Sequence, residues 1–107
     1  MKHGELTSRI PAALPEELID ILSDHGGVRI ERIVSRGHTS PPDFWYDQEE
    51  HEFVLLVQGE ARLDIEGRPA LSLTAGTWVL LPAHTKHRVA FTPLEVDTIW
   101  LAIFYGP

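Results

Sequence analysis

From residue 28 onward the apolar positions come in short runs broken by turn residues. Val28 to Val34, Phe53 to Val57, Ala61 to Ile65, Ala70 to Leu73, Trp78 to Leu81, Arg88 to Phe91 and Thr98 to Phe104 each read as a strand. Gly59, Gly67, Gly76 and Pro82 punctuate them. Alternation is cleanest in Ala61-Leu63-Ile65 against Arg62-Asp64, and in Leu71-Leu73 against Ser72-Thr74, which predicts strands with one wet face. The last strand is apolar on both parities from Ile99 to Phe104, so its outer face needs a cover. The chain's own N-terminal segment or a second subunit would supply it, and a homodimer is expected. Many short strands joined by Gly and Pro turns predict an all-β sandwich or barrel.

Ahead of the strands, Leu18, Ile19, Ile21 and Leu22 recur at three- and four-residue spacing between Pro15 and Ser23. Pro15, Glu16 and Glu17 stand at the start and Gly26-Gly27 beyond the end, so the segment predicts one short amphipathic helix within an N-terminal extension over residues 1–27. Gly37 to Glu50 carries Pro41-Pro42, the aromatic run Phe44-Trp45-Tyr46 and several carboxylates. It reads as a long functional rim loop.

Composition narrows the functional classes. The 107 residues suit one domain, and 43% hydrophobic with 23% charged residues is a globular balance. A formal charge of −7 with Lys and Arg scattered singly argues against nucleic acid as a partner. Cysteine is absent, which removes thiolate chemistry and leans towards the cytosol. No apolar run approaches membrane-spanning length, and a cytoplasmic protein is expected.

The chemistry concentrates in two stretches. Gly76, Pro82 and His87 sit in a run of glycine turn, apolar strand, proline turn and histidine entering another strand; Glu52 precedes an apolar strand ending at Gly59. These stretches resemble the second and first motifs of the cupin superfamily, with His84 at a usual glycine position and Phe91 at a usual asparagine. The resemblance spans roughly residues 28–105, and the wording FWYDQ followed by VLLVQGEARL resembles a subfamily of small bacterial single-domain cupins. It implies an RmlC-like jelly-roll barrel with a metal site in its mouth. The His-x-His pair of the first motif is missing here: its positions fall on Tyr46 and Gln48, or on Trp45 and Asp47, depending on spacing.

Strand parity puts His87 on one face with Val89 and Phe91, pointing inward, and Glu52 with Val54 and Leu56. A carboxylate on that apolar surface needs a cation or a donor. A divalent ion (Fe, Ni, Mn or Zn) shared by His87, Glu52 and Asp47 would meet the need, with His51, Gln48 and Tyr46 as rival ligands. A protonated carboxyl hydrogen-bonded to His87 would meet it too. His84, Trp45, Tyr46 and Phe91 are candidate pocket lining, whereas His3, His25 and His38 read as structural, and more than half of the run Asp43, Asp47, Glu49, Glu50 and Glu52 as a solvated acidic loop. Two functions follow: a metal-dependent dioxygenase, isomerase or lyase acting on a small molecule, or a non-catalytic binding or sensing module with no metal or only a structural one. No phosphate loop, nucleophile elbow or zincin helix names a substrate.

Overall fold

Gly26 and Gly27 adopt φ of 62° and 81°, the left-handed pair of a two-residue hairpin turn. In the computed structural model, which describes residues 1–107, they join strand β1 (Leu18–His25) to β2 (Val28–Ser35) in an antiparallel ladder. The expected N-terminal helix is therefore absent, and the chain contains no helix at all. The run Leu-Ile-Asp-Ile-Leu carries both periods. Ile19 and Ile21 share one strand face with Asp20 on the other, and β1, an edge strand, pairs along its length with β2, where an isolated short helix would leave its ends open. The diglycine is a hairpin turn and not a helix stop.

Six further strands follow: β3 (His51–Gln58), β4 (Glu60–Ile65), β5 (Leu71–Thr74), β6 (Trp78–Leu81), β7 (His87–Phe91) and β8 (Thr98–Tyr105). They form a five-stranded sheet in the order β1-β2-β8-β3-β6 and a three-stranded sheet in the order β5-β4-β7. This is a jelly-roll β fold, but no ladder closes the two sheets into the expected barrel. Alternation dictates which face turns inward; it does not dictate whether edge strands pair across the gap. The chain crosses between sheets at Gly59, φ 88°, and the inward faces of both sheets build one core from Val54, Leu56, Ala61, Leu63, Leu73, Trp100, Ala102 and Phe104.

The loop between β2 and β3 is pinned along β7. The Ser40 N–H donates to the Val89 carbonyl, the Val89 N–H to Ser40 Oγ, and Tyr46 exchanges both backbone hydrogen bonds with His87 at 2.7 and 3.1 Å. On the outer face of the large sheet, Arg32 donates to the carbonyls of Leu6 and Ser8 and pairs with Asp20, and Arg36 donates to the Ala12 carbonyl. The N-terminal segment thus crosses one half of that face, where Val34 and Ile99 are fully buried. The other half, with Phe53 stacked on Trp78 and Leu80 beside them, stays open.

Candidate functional site

Glu52 is the first inward residue of β3, and His87 opens β7 in the opposite sheet. Both are buried, and the His87 Nε2 lies 3.5 Å from Glu52 Oε1, so one pair spans the gap between the sheets. His87 Nδ1 lies 2.8 Å from the Thr85 carbonyl. A carbonyl only accepts, so Nδ1 carries a proton and Nε2 is the titrating atom facing Glu52. Burial pushes the His87 pKa down. The Glu52 carboxylate 3.5 Å away and the Thr85 carbonyl together outweigh it and leave the pKa raised above 6.5. The Gln48 side-chain amide donates to the same Glu52 oxygen at 3.2 Å. The Tyr46 ring stacks on the His87 ring with centroids 5.4 Å apart. Burial, then the charges of Glu17 and Glu52, raise the Tyr46 phenol above its ordinary value, so it stays a neutral donor.

The pair lies on the wall of a cavity of about 230 Å³ between the sheets. Its apolar lining includes Ile33, Val54, Leu63, Val89, Trp100 and Phe104, and its polar lining is Glu17, Arg29, Glu31, Tyr46, Gln48, Glu52 and His87. Arg29 and Glu31 alternate with Ile33 on the inward face of β2, opposite Phe104, Ala102 and Trp100 of β8. The Arg29 guanidinium lies 4.4 Å above the Phe104 ring, bonds Glu31 at 2.7 Å and grips Glu50 through both terminal nitrogens. These carboxylates raise its pKa further, so its charge is fixed and already partnered. Glu17 accepts from Ser35 Oγ, which in turn accepts from the Trp100 indole at 3.1 Å. A second hollow of about 270 Å³ shares Glu17, Tyr46 and Val89 with the cavity.

Of the candidate residues, His87, Glu52, Gln48 and Tyr46 converge. Asp47 does not: its carboxylate takes His84 Nδ1 at 2.7 Å, and both side chains are exposed away from the cavity, so neither serves as ligand or lining there. His51 points to the far side of β3, where its Nδ1 accepts the Ala83 N–H at 2.9 Å and its ring packs on Tyr105. Trp45 is outside the cavity lining. Phe91 is exposed because β7 bulges: Leu63 faces Val89 while the adjacent Arg62 faces Phe91, so one extra residue flips its parity. His38 is satisfied by the Arg36 N–H and the Pro15 carbonyl, as a structural histidine should be. Arg29, Glu31, Glu17 and Trp100 were not among the candidates. The polar pair Arg29 and Glu31 in alternation with Ile33 was the available signal, since a strand packed on both faces has no reason to place charges inward.

A divalent ion fits this set poorly. Structural and catalytic sites of the imidazole and carboxylate type use three or more protein ligands. No three His, Asp or Glu side chains gather anywhere in the chain, and only His87 and Glu52 meet at the cavity.

Residues 31–104 match the family model of the cupin domain. No curated protein matches the chain. Among solved structures, one named "putative mannose-6-phosphate isomerase" from Ralstonia eutropha JMP134 is 40% identical over 100% of both chains, with a TM-score of 0.96. A cupin superfamily protein from Desulfitobacterium hafniense DCB-2 is 20% identical over 92% of this chain and 84% of that one, with a TM-score of 0.75. An RmlC-like cupin family protein with a double-stranded β-helix fold, from Methanocaldococcus jannaschii, is 16% identical over 95% and 93% of the two chains, with a TM-score of 0.71. The last two share the fold alone. No helix is long and apolar enough to cross a membrane.

Proposed function

The chain belongs to the cupin family, and on that premise we propose that it binds a small organic molecule between its sheets through a His87–Glu52 pair that acts without a metal. The observation that carries this is the anchoring of His87 Nδ1 on the Thr85 carbonyl, which commits Nε2 and one exchangeable proton to Glu52 and the cavity. The pair meets Glu52's need for a partner by itself. It offers a ligand carbonyl or hydroxyl a donor in the protonated state and an acceptor in the deprotonated one. A volume of about 230 Å³ displaces roughly eight waters at ~30 Å³ each, the scale of a small ring or short chain.

Metal analysis of protein purified without a His-tag tests this reading. The expected result is iron, nickel, manganese and zinc all well below one ion per chain, with no change in His87→Ala. Near-stoichiometric metal that disappears in His87→Ala would restore the metal-enzyme reading and overturn the proposal.

The name of the Ralstonia neighbour brings a sugar phosphate into view. Here the one permanent cation in the cavity lining is Arg29, and Glu31 and Glu50 already hold it. A phosphate dianion would meet three carboxylates before a free guanidinium, so a neutral or cationic ligand suits this cavity better.

We also propose a homodimer through the open half of the large sheet's outer face. Phe53, Leu55, Trp78, Leu80, Leu101 and Ile103 share that face, with Trp78 62% and Leu80 47% exposed. None of the six is charged. Two copies each carrying −7 can therefore approach there without setting like charges against each other. Leu80→Glu is expected to convert the dimer to monomer in sedimentation experiments; a wild-type chain that sediments as monomer at high concentration removes the proposal.

A further inference from the structure

We propose that the cavity selects a small organic cation, an amine or amidine on an apolar or aromatic body, and rejects carboxylates and phosphate esters. This rests on the reading of the cavity as a ligand site. Glu17, Glu31 and Glu52 line it, against Arg29 and His87. Arg29 contributes no free positive charge, because Glu31 and Glu50 neutralise it and its flat face is spent on Phe104. With His87 neutral, the lining is left with a negative balance in a cavity whose walls are largely apolar, where charges are screened less than in open water. The carboxylates come from β1's approach, from β2 and from β3, and no three acidic or histidine side chains gather around a point. That spread suits a body with several contacts and gives no coordination polyhedron to a bare ion. Trp100 lines the cavity as well, and an aromatic ring attracts an ammonium, whereas the Phe104 face is taken by Arg29 and one Tyr46 face by His87.

The test compares probes of one shape and three charges. Benzylamine, benzyl alcohol and benzoate would be titrated calorimetrically into the full chain at a pH above the His87 titration, with mannose 6-phosphate and zinc as further arms. Benzylamine is expected to bind at least ~10-fold tighter than benzyl alcohol, with benzoate and mannose 6-phosphate weakest. Glu31→Gln releases Arg29 from one partner, so it should weaken benzylamine about tenfold and bring benzoate into range. Ile33→Trp, which fills the cavity from its half-buried wall, should abolish binding of every probe; circular dichroism would confirm that both variants fold.

If benzyl alcohol or benzoate binds as tightly as benzylamine and Ile33→Trp abolishes it, the charge selection is wrong and the ligand site stands. Binding of no probe to wild-type protein overturns both. Stoichiometric zinc uptake that excludes benzylamine assigns the carboxylates to a metal and overturns both as well.

Discussion

Gly59→Ala is expected to destabilise the fold by about 2–5 kcal/mol, the sum of a left-handed backbone penalty and an unrelieved overlap. At φ 88° an L-residue is strained whatever the space around it. A Cβ there would also sit 2.8 Å from the Thr98 Cα, 2.7 Å from its Oγ1 and 3.0 Å from the Asp97 carbonyl. Thr98 cannot retreat. It is fully buried, its hydroxyl donates to the Glu60 carbonyl, and its backbone is paired with Ser35. Gly76 is the control, because its φ is 92° and nothing lies within 4 Å of its would-be Cβ. Gly76→Ala should cost only the backbone part, about 1–2 kcal/mol. Urea unfolding of both variants separates strain from overlap. Equal losses would show that the crossing at Gly59 has room the structure does not contain.

That contrast explains why motif glycines are readable in a sequence while their reasons are not. Gly59 and Gly76 both mark turns, yet only one is held by a close approach from a strand thirty-nine residues away in sequence, which no local pattern reports. Seven strands of the jelly roll were legible from apolar runs and turn residues, with ends shifted by a residue or so. The eighth was misread because Leu18 to Leu22 satisfies two periods at once, and only pairing with β2 decides between them. The meeting of His87 with Glu52 followed from parity, since both lie on regular stretches of strand next to the core. Parity failed at Phe91, beyond a bulge, and it never applied to Asp47, whose loop follows β7 through backbone bonds at Ser40 and Tyr46 and turns its carboxylate to His84.

His87→Ala is expected to cost about 3–5 kcal/mol, because it leaves Glu52 buried with Gln48 as its remaining side-chain partner. The two side chains are only 7% and 12% exposed, so solvent screening does little to soften the loss. The pH dependence gives a sharper result. The folded pKa of His87 is raised above the unfolded value of 6.5, so its contribution is fully present below that value and is lost as pH rises through the folded pKa. Wild-type stability should therefore decline across this window as His87 gives up its Nε2 proton. Glu52→Gln removes both of the carboxylate's raising influences. Burial, the largest single influence, then outweighs the Thr85 carbonyl and takes the His87 pKa below 6.5. The sign reverses: stability in Glu52→Gln should rise with pH, being lost as pH falls through the lowered pKa. Gln48, Tyr46, Glu17 and Arg29 line the same cavity and remain in every variant, so the difference between the two curves isolates the pair. Urea midpoints measured between about pH 5 and 8 decide it. Curves of the same slope for wild type and Glu52→Gln would mean that His87 and Glu52 are neighbours without sharing a proton, and the proposed site would lose the group that gives it its chemistry.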